Sequence, residues 1–153
     1  MLTISNLKKS YDGKTNIIDD LNLVIETGDI YGFIGHNGAG KTTTLKSVAG
    51  ILPFDNGEIT INGISLKADP IGCKKQIAYI PDNPDLYEYM SGIKYLQFIA
   101  DIFEVSAENR QERIQKYADL LELTPHLAQP ISSYSHGMKQ KLAVISAWIH
   151  APK

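Results

Sequence analysis

Gly35, Gly38, Gly40, Lys41 and Thr42 stand in the spacing G-x-x-x-x-G-K-[ST], written here as Gly35-His36-Asn37-Gly38-Ala39-Gly40-Lys41-Thr42. That pattern suits one chemistry, the holding of a nucleotide triphosphate. A loop with few side chains can turn its backbone N–H groups inward around a dense anion. Lys41 supplies a mobile charge for the β and γ phosphates, and Thr42 offers a hydroxyl to Mg²⁺. A helix opening at Lys41 adds the positive end of its dipole. The competing reading, a glycine-rich turn, requires the glycines, the Lys, the Thr and both flanking elements to coincide.

Those flanking elements are legible. Ile30-Tyr31-Gly32-Phe33-Ile34 reads as a buried strand entering the loop, and Thr42 to Ala49 as a helix that stops at Gly50 with Pro53 beyond. Upstream, Leu2-Thr3-Ile4 alternates like a strand, Asp12-Gly13 signals a hairpin turn, and a second strand is expected near Thr15–Ile18. Leu21, Leu23 and Ile25 continue the alternation. Tyr11, beside the turn, reads by itself as a half-buried strand aromatic. Downstream, Asp55-Asn56-Gly57 marks a turn, Glu58–Ile61 and Ile64–Leu66 form a second hairpin about Asn62-Gly63, and Asp69-Pro70 suits a short helix start. Gln76–Ile80 reads as a further buried strand stopped by Pro81.

From Ser91 the pattern turns helical. Ser91 is placed as an N-cap, with Tyr95, Phe98, Ile99 and Ile102 on one apolar face. A second helix from about Ser106 carries Ile114, Tyr117, Ala118 and Leu121 inward, with Glu108, Arg110, Glu112 and Arg113 facing solvent. Ser132-Ser133-Tyr134-Ser135 introduces a last helix bearing Leu142, Val144, Ile145 and Trp148, which Pro152 ends.

Composition narrows the class. The 153 residues are 43% hydrophobic and 21% charged, as expected of a globular domain rather than a disordered or membrane-embedded chain. A net charge of −2 argues against a dedicated nucleic-acid binder. Cys73 is the single cysteine, so no internal disulfide can form and a reducing cytosol fits. Lys8-Lys9 is followed by polar residues, unlike a signal peptide, and Leu142–Trp148 is too short to span a bilayer. Any membrane role is therefore expected to run through a partner. His126 and His150 match no metal-ligand spacing, and His36 and His136 lie inside the phosphate-type motifs.

Taken together, these pieces resemble the ATP-binding subunits of ABC transporters over the whole chain. Gly35 to Thr42, with Thr43, is similar to the family's Walker A, Tyr11 falls where its adenine-stacking aromatic sits, and Tyr134-Ser135-His136-Gly137-Met138-Lys139-Gln140-Lys141 resembles its signature motif. The resemblance implies bound ATP and Mg²⁺, contacted by Tyr11, Gly35, Asn37, Gly38, Ala39, Gly40, Lys41, Thr42 and Thr43. It also implies that two subunits face head to tail, so that Ser135 and Gly137 of one close over the γ-phosphate held by the other. Read on its own residues, the signature segment is a capped helix start: Ser135 can cap, and Gly137 leaves backbone N–H groups bare for phosphate.

Two departures from the family pattern stand out. Asp82 occupies the place of a common Gln, where a carboxylate can meet Mg²⁺ or its water but donates no hydrogen bond when ionised; a solvated loop Asp is the alternative. His136 and Met138 replace the commoner Gly and Gln, variants that resemble those of bacterial export-type members. No Asp or Glu follows Glu122, whereas the family places its Walker B acid and catalytic Glu just beyond a segment resembling Ile149–Lys153. The expectation is thus an amino-terminal portion ending before Walker B, inactive by itself, with Lys41 and Asp82 as the catalytic candidates at hand.

The expected fold is α/β: a P-loop NTPase core with an incomplete parallel sheet and an antiparallel β subdomain over residues 1–83, and a helical subdomain with the signature helix over 84–153. The strands that would flank Ile30–Ile34 belong to the portion beyond, so an exposed apolar flank is expected there. The expected function is ATP hydrolysis coupled to substrate movement through a transmembrane permease, with the subunit cytoplasmic and peripheral on the inner face of the membrane. The alternative is a non-transport ABC-type switch module. Relatives of that kind usually carry two phosphate loops and a charged linker, and this chain has one loop and no linker.

Overall fold

A computed structural model describes all residues, 1–153, as two compact units, Met1–Ile77 and Ala78–Lys153.

The first unit is built on a four-stranded antiparallel sheet in the order β2-β1-β3-β4, with β1 Leu2–Ser10, β2 Asn16–Ile25, β3 Asn56–Ile61 and β4 Ile64–Ser65. Alternation buries Ile4 in the early part of β1 but Leu7 and Lys9 later, so the inward phase slips by one residue between them. A bulge causes the slip. Asn6 sits at φ 51°, and its backbone N–H and side-chain amide donate to Asn22 Oδ1 and Asp20 Oδ1 at 2.8 and 2.9 Å. Asn tolerates that left-handed conformation better than a branched residue would. The two strand pieces read on either side of Asp19-Asp20 are one strand for the same reason: Asp20, at φ 56°, bends β2 without ending it.

Helix α1, Lys41–Val48, follows the glycine loop and ends at Gly50, whose φ of 64° lets the Ile51 N–H turn back to the Lys46 carbonyl at 2.9 Å. Helix α2, Pro70–Lys74, is capped by Asp69, which accepts the Gly72 N–H at 2.8 Å.

Two expected strands do not form. Ile30–Ile34 has no ladder partner, and the Ile30 and Ile34 side chains are 103% and 96% exposed. Gln76–Ile80 is likewise outside any strand. An apolar run becomes a strand only where another strand satisfies its N–H and C=O groups, and all four strands present pair among themselves.

The second unit packs α3 Gly92–Ile102, α4 Ala107–Leu120 and α5 His136–Trp148, with 3₁₀ turns at Thr124–His126 and Ile131–Ser133. Leu96, Ala100, Ile114, Ala118, Leu142 and Ile145 lie at its centre. Ser106 and Ser135 cap α4 and α5 with their hydroxyls. Ser91 precedes α3 as expected but makes no side-chain cap. The Gly92 and Ile93 amides instead donate to the Gln129 and Leu127 carbonyls at 3.2 and 2.9 Å, so two of the first-turn N–H groups are satisfied by the neighbouring chain. The buried face of α3 is Tyr95, Leu96 and Ala100, while Phe98 and Ile102 lie outward at 37% and 55% exposure.

Arg110 and Arg113 also depart from a purely solvated reading. Arg110 pairs with Asp101 and reaches the Val105 carbonyl, and Arg113 donates to the Ile149 carbonyl at 2.8 Å. A cation at a helix C-terminus satisfies carbonyls that the helix leaves open. No helix is long and apolar enough to cross a membrane.

Candidate functional site

The glycine loop is shaped by its φ angles. Gly38 and Gly40 both stand at φ 85°, a conformation that L side chains rarely adopt. At Gly40 space is decisive as well, because a Cβ would lie 2.8 Å from the Ile17 carbonyl of β2. The loop thus rests against the sheet edge and opens α1 directly. The first backbone bond of the helix runs from the Thr44 N–H to the Gly40 carbonyl at 2.8 Å, seconded by the Thr44 hydroxyl at 3.0 Å. Lys41, Thr42 and Thr43 therefore contribute first-turn N–H groups that have no carbonyl a turn below them.

Lys41 folds back over the loop. Its ammonium donates to the Gly35 carbonyl and, at 2.8 Å, to the His36 carbonyl. The charge is held by neutral acceptors alone, with no carboxylate among its hydrogen-bond partners. The loop stays exposed from Ile34 to Ala39, Asn37 included, and Thr42 is exposed in the first turn. Thr43 is buried and its hydroxyl lies 3.2 Å from the Tyr11 hydroxyl, bringing the β1–β2 turn to the phosphate-loop helix. Tyr11 itself is 64% exposed.

That turn is locked from within. Asp12 accepts the Lys14 and Thr15 N–H groups at 2.8 Å each, and the Ser10 hydroxyl donates to the Thr15 carbonyl at 2.7 Å. Bonds from Thr15 and then Lys14 favour the carboxylate and hold Asp12 below its ordinary range. Asp55, read in the sequence only as part of a turn, accepts the Ser10 N–H at 2.6 Å and the Lys9 ammonium at 3.2 Å. Those two bonds, the Ser10 amide first, hold its carboxyl low as well. A turn signal such as Asp-Asn-Gly reveals the bend and not the side chain's target, so sequence reasoning had no sign of this contact.

The signature-like segment belongs to the second unit. Ser135 caps α5, its hydroxyl accepting the Met138 N–H at 3.3 Å. His136 and Gly137 are exposed, and a Cβ on Gly137 would meet no atom within 4 Å. The preceding Tyr134 is 5% exposed and anchors the start of the helix, donating from its hydroxyl to the His126 carbonyl at 2.7 Å; burial pushes its phenol up. Lys139 pairs with Glu88.

Asp82 also lies in the second unit, exposed, with its main-chain carbonyl accepting from the Gln140 side chain of α5. The glycine loop, Thr42, Thr43 and Tyr11 are together in the first unit, and Asp82, Ser135 and Gly137 in the second. No group of three His, Cys, Asp or Glu side chains gathers in a metal-binding arrangement.

A family model described as ABC transporter matches residues 18–153. A Bacillus subtilis protein described as the uncharacterized ABC transporter ATP-binding protein YhcH is 36% identical over 153 residues, which is 100% of this chain and 49% of the relative. The ABC-type transporter ATP-binding protein EcsA of the same organism is 30% identical over 152 residues, 99% of this chain and 61% of its own length. Among solved structures, one described as the ATP binding subunit of an ABC transporter superposes with TM-score 0.92 at 32% identity, covering 99% of this chain and 63% of that one. A dimeric ATP-binding cassette in a post-hydrolysis state, bound to ADP and Pi, gives TM-score 0.86 at 21% identity over 99% of this chain and 71% of its own. The chain thus spans about half to three fifths of the length of these two curated relatives.

Proposed function

Because the chain belongs to the ABC transporter family of ATP-binding proteins, we propose that it is the nucleotide-holding portion of a subunit that couples ATP binding and hydrolysis to substrate movement through a membrane permease. The fold is that of a P-loop NTPase. The observation that carries the reading is the Lys41 ammonium held over the exposed glycine loop by two carbonyls and no carboxylate. A cation so placed exchanges those carbonyls for phosphate oxygens without breaking an ion pair.

The loop's residues fit a triphosphate. Gly35, Asn37, Gly38 and Ala39 are exposed, Gly40 sets the turn into α1, Lys41 meets the β and γ phosphates, and the α1 N-terminus adds its dipole through Thr42 and Thr43. Tyr11 presents an exposed face to the adenine. Thr42 would be the protein ligand to Mg²⁺ in this unit, where the metal would neutralise phosphate charge. ATP brings the reactive phosphoanhydride; Lys41 steadies its charge.

Ser135 and Gly137 serve another copy's nucleotide. An exposed helix start capped by Ser135, with Gly137 adding no bulk, suits closure over a γ-phosphate in a head-to-tail dimer. The post-hydrolysis dimer with ADP and Pi, and a Clostridium perfringens relative described as part of the transporter complex cbiONQ, support a dimer working with other components. We place the subunit at the inner face of the membrane through its permease. Efficient hydrolysis requires an acid that holds the metal shell and one that orients water, so hydrolysis is proposed for the subunit as a whole and nucleotide binding for residues 1–153.

The test is equilibrium titration of the full-length subunit with ATP and Mg²⁺. Lys41→Ala removes a charge-assisted contact worth about 1.5–3 kcal/mol, so affinity falls roughly ten- to a hundredfold. Equal affinities for wild type and variant contradict the assignment.

A further inference from the structure

Asp55 ends the connection into β3, and the ladder fixes where its side chain goes. Asn56 stands opposite Lys8 in the β1–β3 register, and the Asp55 N–H donates to the Lys8 carbonyl at 3.0 Å. Gly57, at φ 95°, lets β3 approach this closely, because a Cβ there would lie 2.6 Å from the Ser5 and Asn6 carbonyls. The Asp55 carboxylate then grips the two residues before Tyr11. One oxygen takes the Ser10 N–H at 2.6 Å and the other takes the Lys9 ammonium at 3.2 Å.

Lys9 is an unusual residue to find inside. It is 9% exposed, its Asp55 partner forms its one ion pair, and its ammonium lies 5.7 Å from the centroid of the Tyr11 ring. A buried ammonium needs such a partner to remain charged at little cost. The ring is thus approached by a fixed cation and tethered at its hydroxyl to Thr43 at 3.2 Å, yet it stays 64% exposed.

We propose that Asp55 is a positioning residue for base recognition: by holding Lys9 and the Ser10 N–H, it sets the plane of Tyr11 beside the phosphate loop before nucleotide arrives. The inference rests on the reading of Tyr11 as the base-stacking residue. An exposed aromatic on a free turn loses conformational freedom when a base stacks on it, and a ring already fixed does not. Stacking also depends on ring geometry, so a tilted Tyr11 loses contact even where the phosphates are held normally.

The experiment compares two ligands, ATP and inorganic tripolyphosphate, each with Mg²⁺, binding at equilibrium to the full-length subunit. Wild type prefers ATP, and Tyr11→Ala removes most of that preference. Asp55→Ala lowers ATP affinity about three- to tenfold and leaves tripolyphosphate affinity unchanged, while Asp55→Asn, which keeps an acceptor for the Ser10 N–H, falls between it and wild type. If Tyr11→Ala loses the preference and Asp55→Ala keeps it, the positioning role is wrong and base stacking stands. If Asp55→Ala weakens both ligands in parallel, the residue supports the fold generally and the inference is overturned. A Tyr11→Ala variant that discriminates as well as wild type overturns the stacking reading and the inference with it.

Discussion

Gly40 and Gly38 share a φ of 85° but not a neighbourhood, and that difference separates conformational strain from crowding. A Cβ on Gly38 meets nothing within 4 Å, so Gly38→Ala costs only the left-handed conformation, about 1–2 kcal/mol. On Gly40 it meets the Ile17 carbonyl at 2.8 Å, adding an overpacking cost of about 1–3 kcal/mol and pushing the loop off β2. Urea unfolding of the full-length subunit should therefore rank wild type above Gly38→Ala and Gly38→Ala above Gly40→Ala; equal losses contradict the role given to the Ile17 contact. Asp12 makes a different prediction at the same scale. Its folded-state pKa lies below 3.8, so the stability it contributes is complete above that pH and is lost as pH falls through the lower folded value. The gap in melting temperature between wild type and Asp12→Asn should be widest above pH 3.8 and close beneath it. A gap that does not change with pH would mean that the Lys14 and Thr15 bonds do not favour the carboxylate.

Among the elements, the start of α3 and the start of α5 depend on each other through a single small residue. A Cβ on Gly92 would lie 2.3 Å from the Tyr134 hydroxyl, the group that anchors the approach to Ser135. Gly92→Ala should cost about 1–3 kcal/mol and loosen the cap of α5, seen as faster hydrogen exchange at the Met138 amide; unchanged exchange there would show that Tyr134 can yield without disturbing the helix. The sequence makes α5 plain, because Ser135 and the apolar spacing that follows are local signals. It makes α3 plain in position but not in rotation, since the buried face is chosen by what lies opposite, and Leu96 and Ala100 win over Phe98 and Ile102. Turn residues likewise disclose the hairpins, whereas the bulge at Asn6 and the grip of Asp55 on Ser10 are long-range contacts with no local mark. The run Ile30–Ile34 has every local property of a strand and lacks a partner. The glycine loop is legible as a turn that opens a helix, because its glycines and the helical run after Gly40 are local signals.

At the scale of the whole molecule, Ile30 and Ile34 leave an apolar edge leading into the phosphate loop. Apolar surface of this kind calls for cover, so residues 1–153 should bind a hydrophobic dye strongly and the Ile30→Ser, Ile34→Ser double variant weakly; equal dye binding would mean that these two side chains are not the apolar surface the dye finds. The central claim also concerns assembly, because the phosphate loop and the Ser135–Gly137 helix start are assigned to the same nucleotide from different copies. Gly137 suits this test, since a Cβ there meets no atom within 4 Å. The decisive measurement is the molar mass of the full-length subunit in solution, with and without a slowly hydrolysed ATP analogue, for wild type and Gly137→Asp. Wild type should double in mass when the analogue is added, and the variant should bind the analogue yet remain a monomer, because a carboxylate would face the phosphate. A variant that dimerises with nucleotide as readily as wild type would contradict the account.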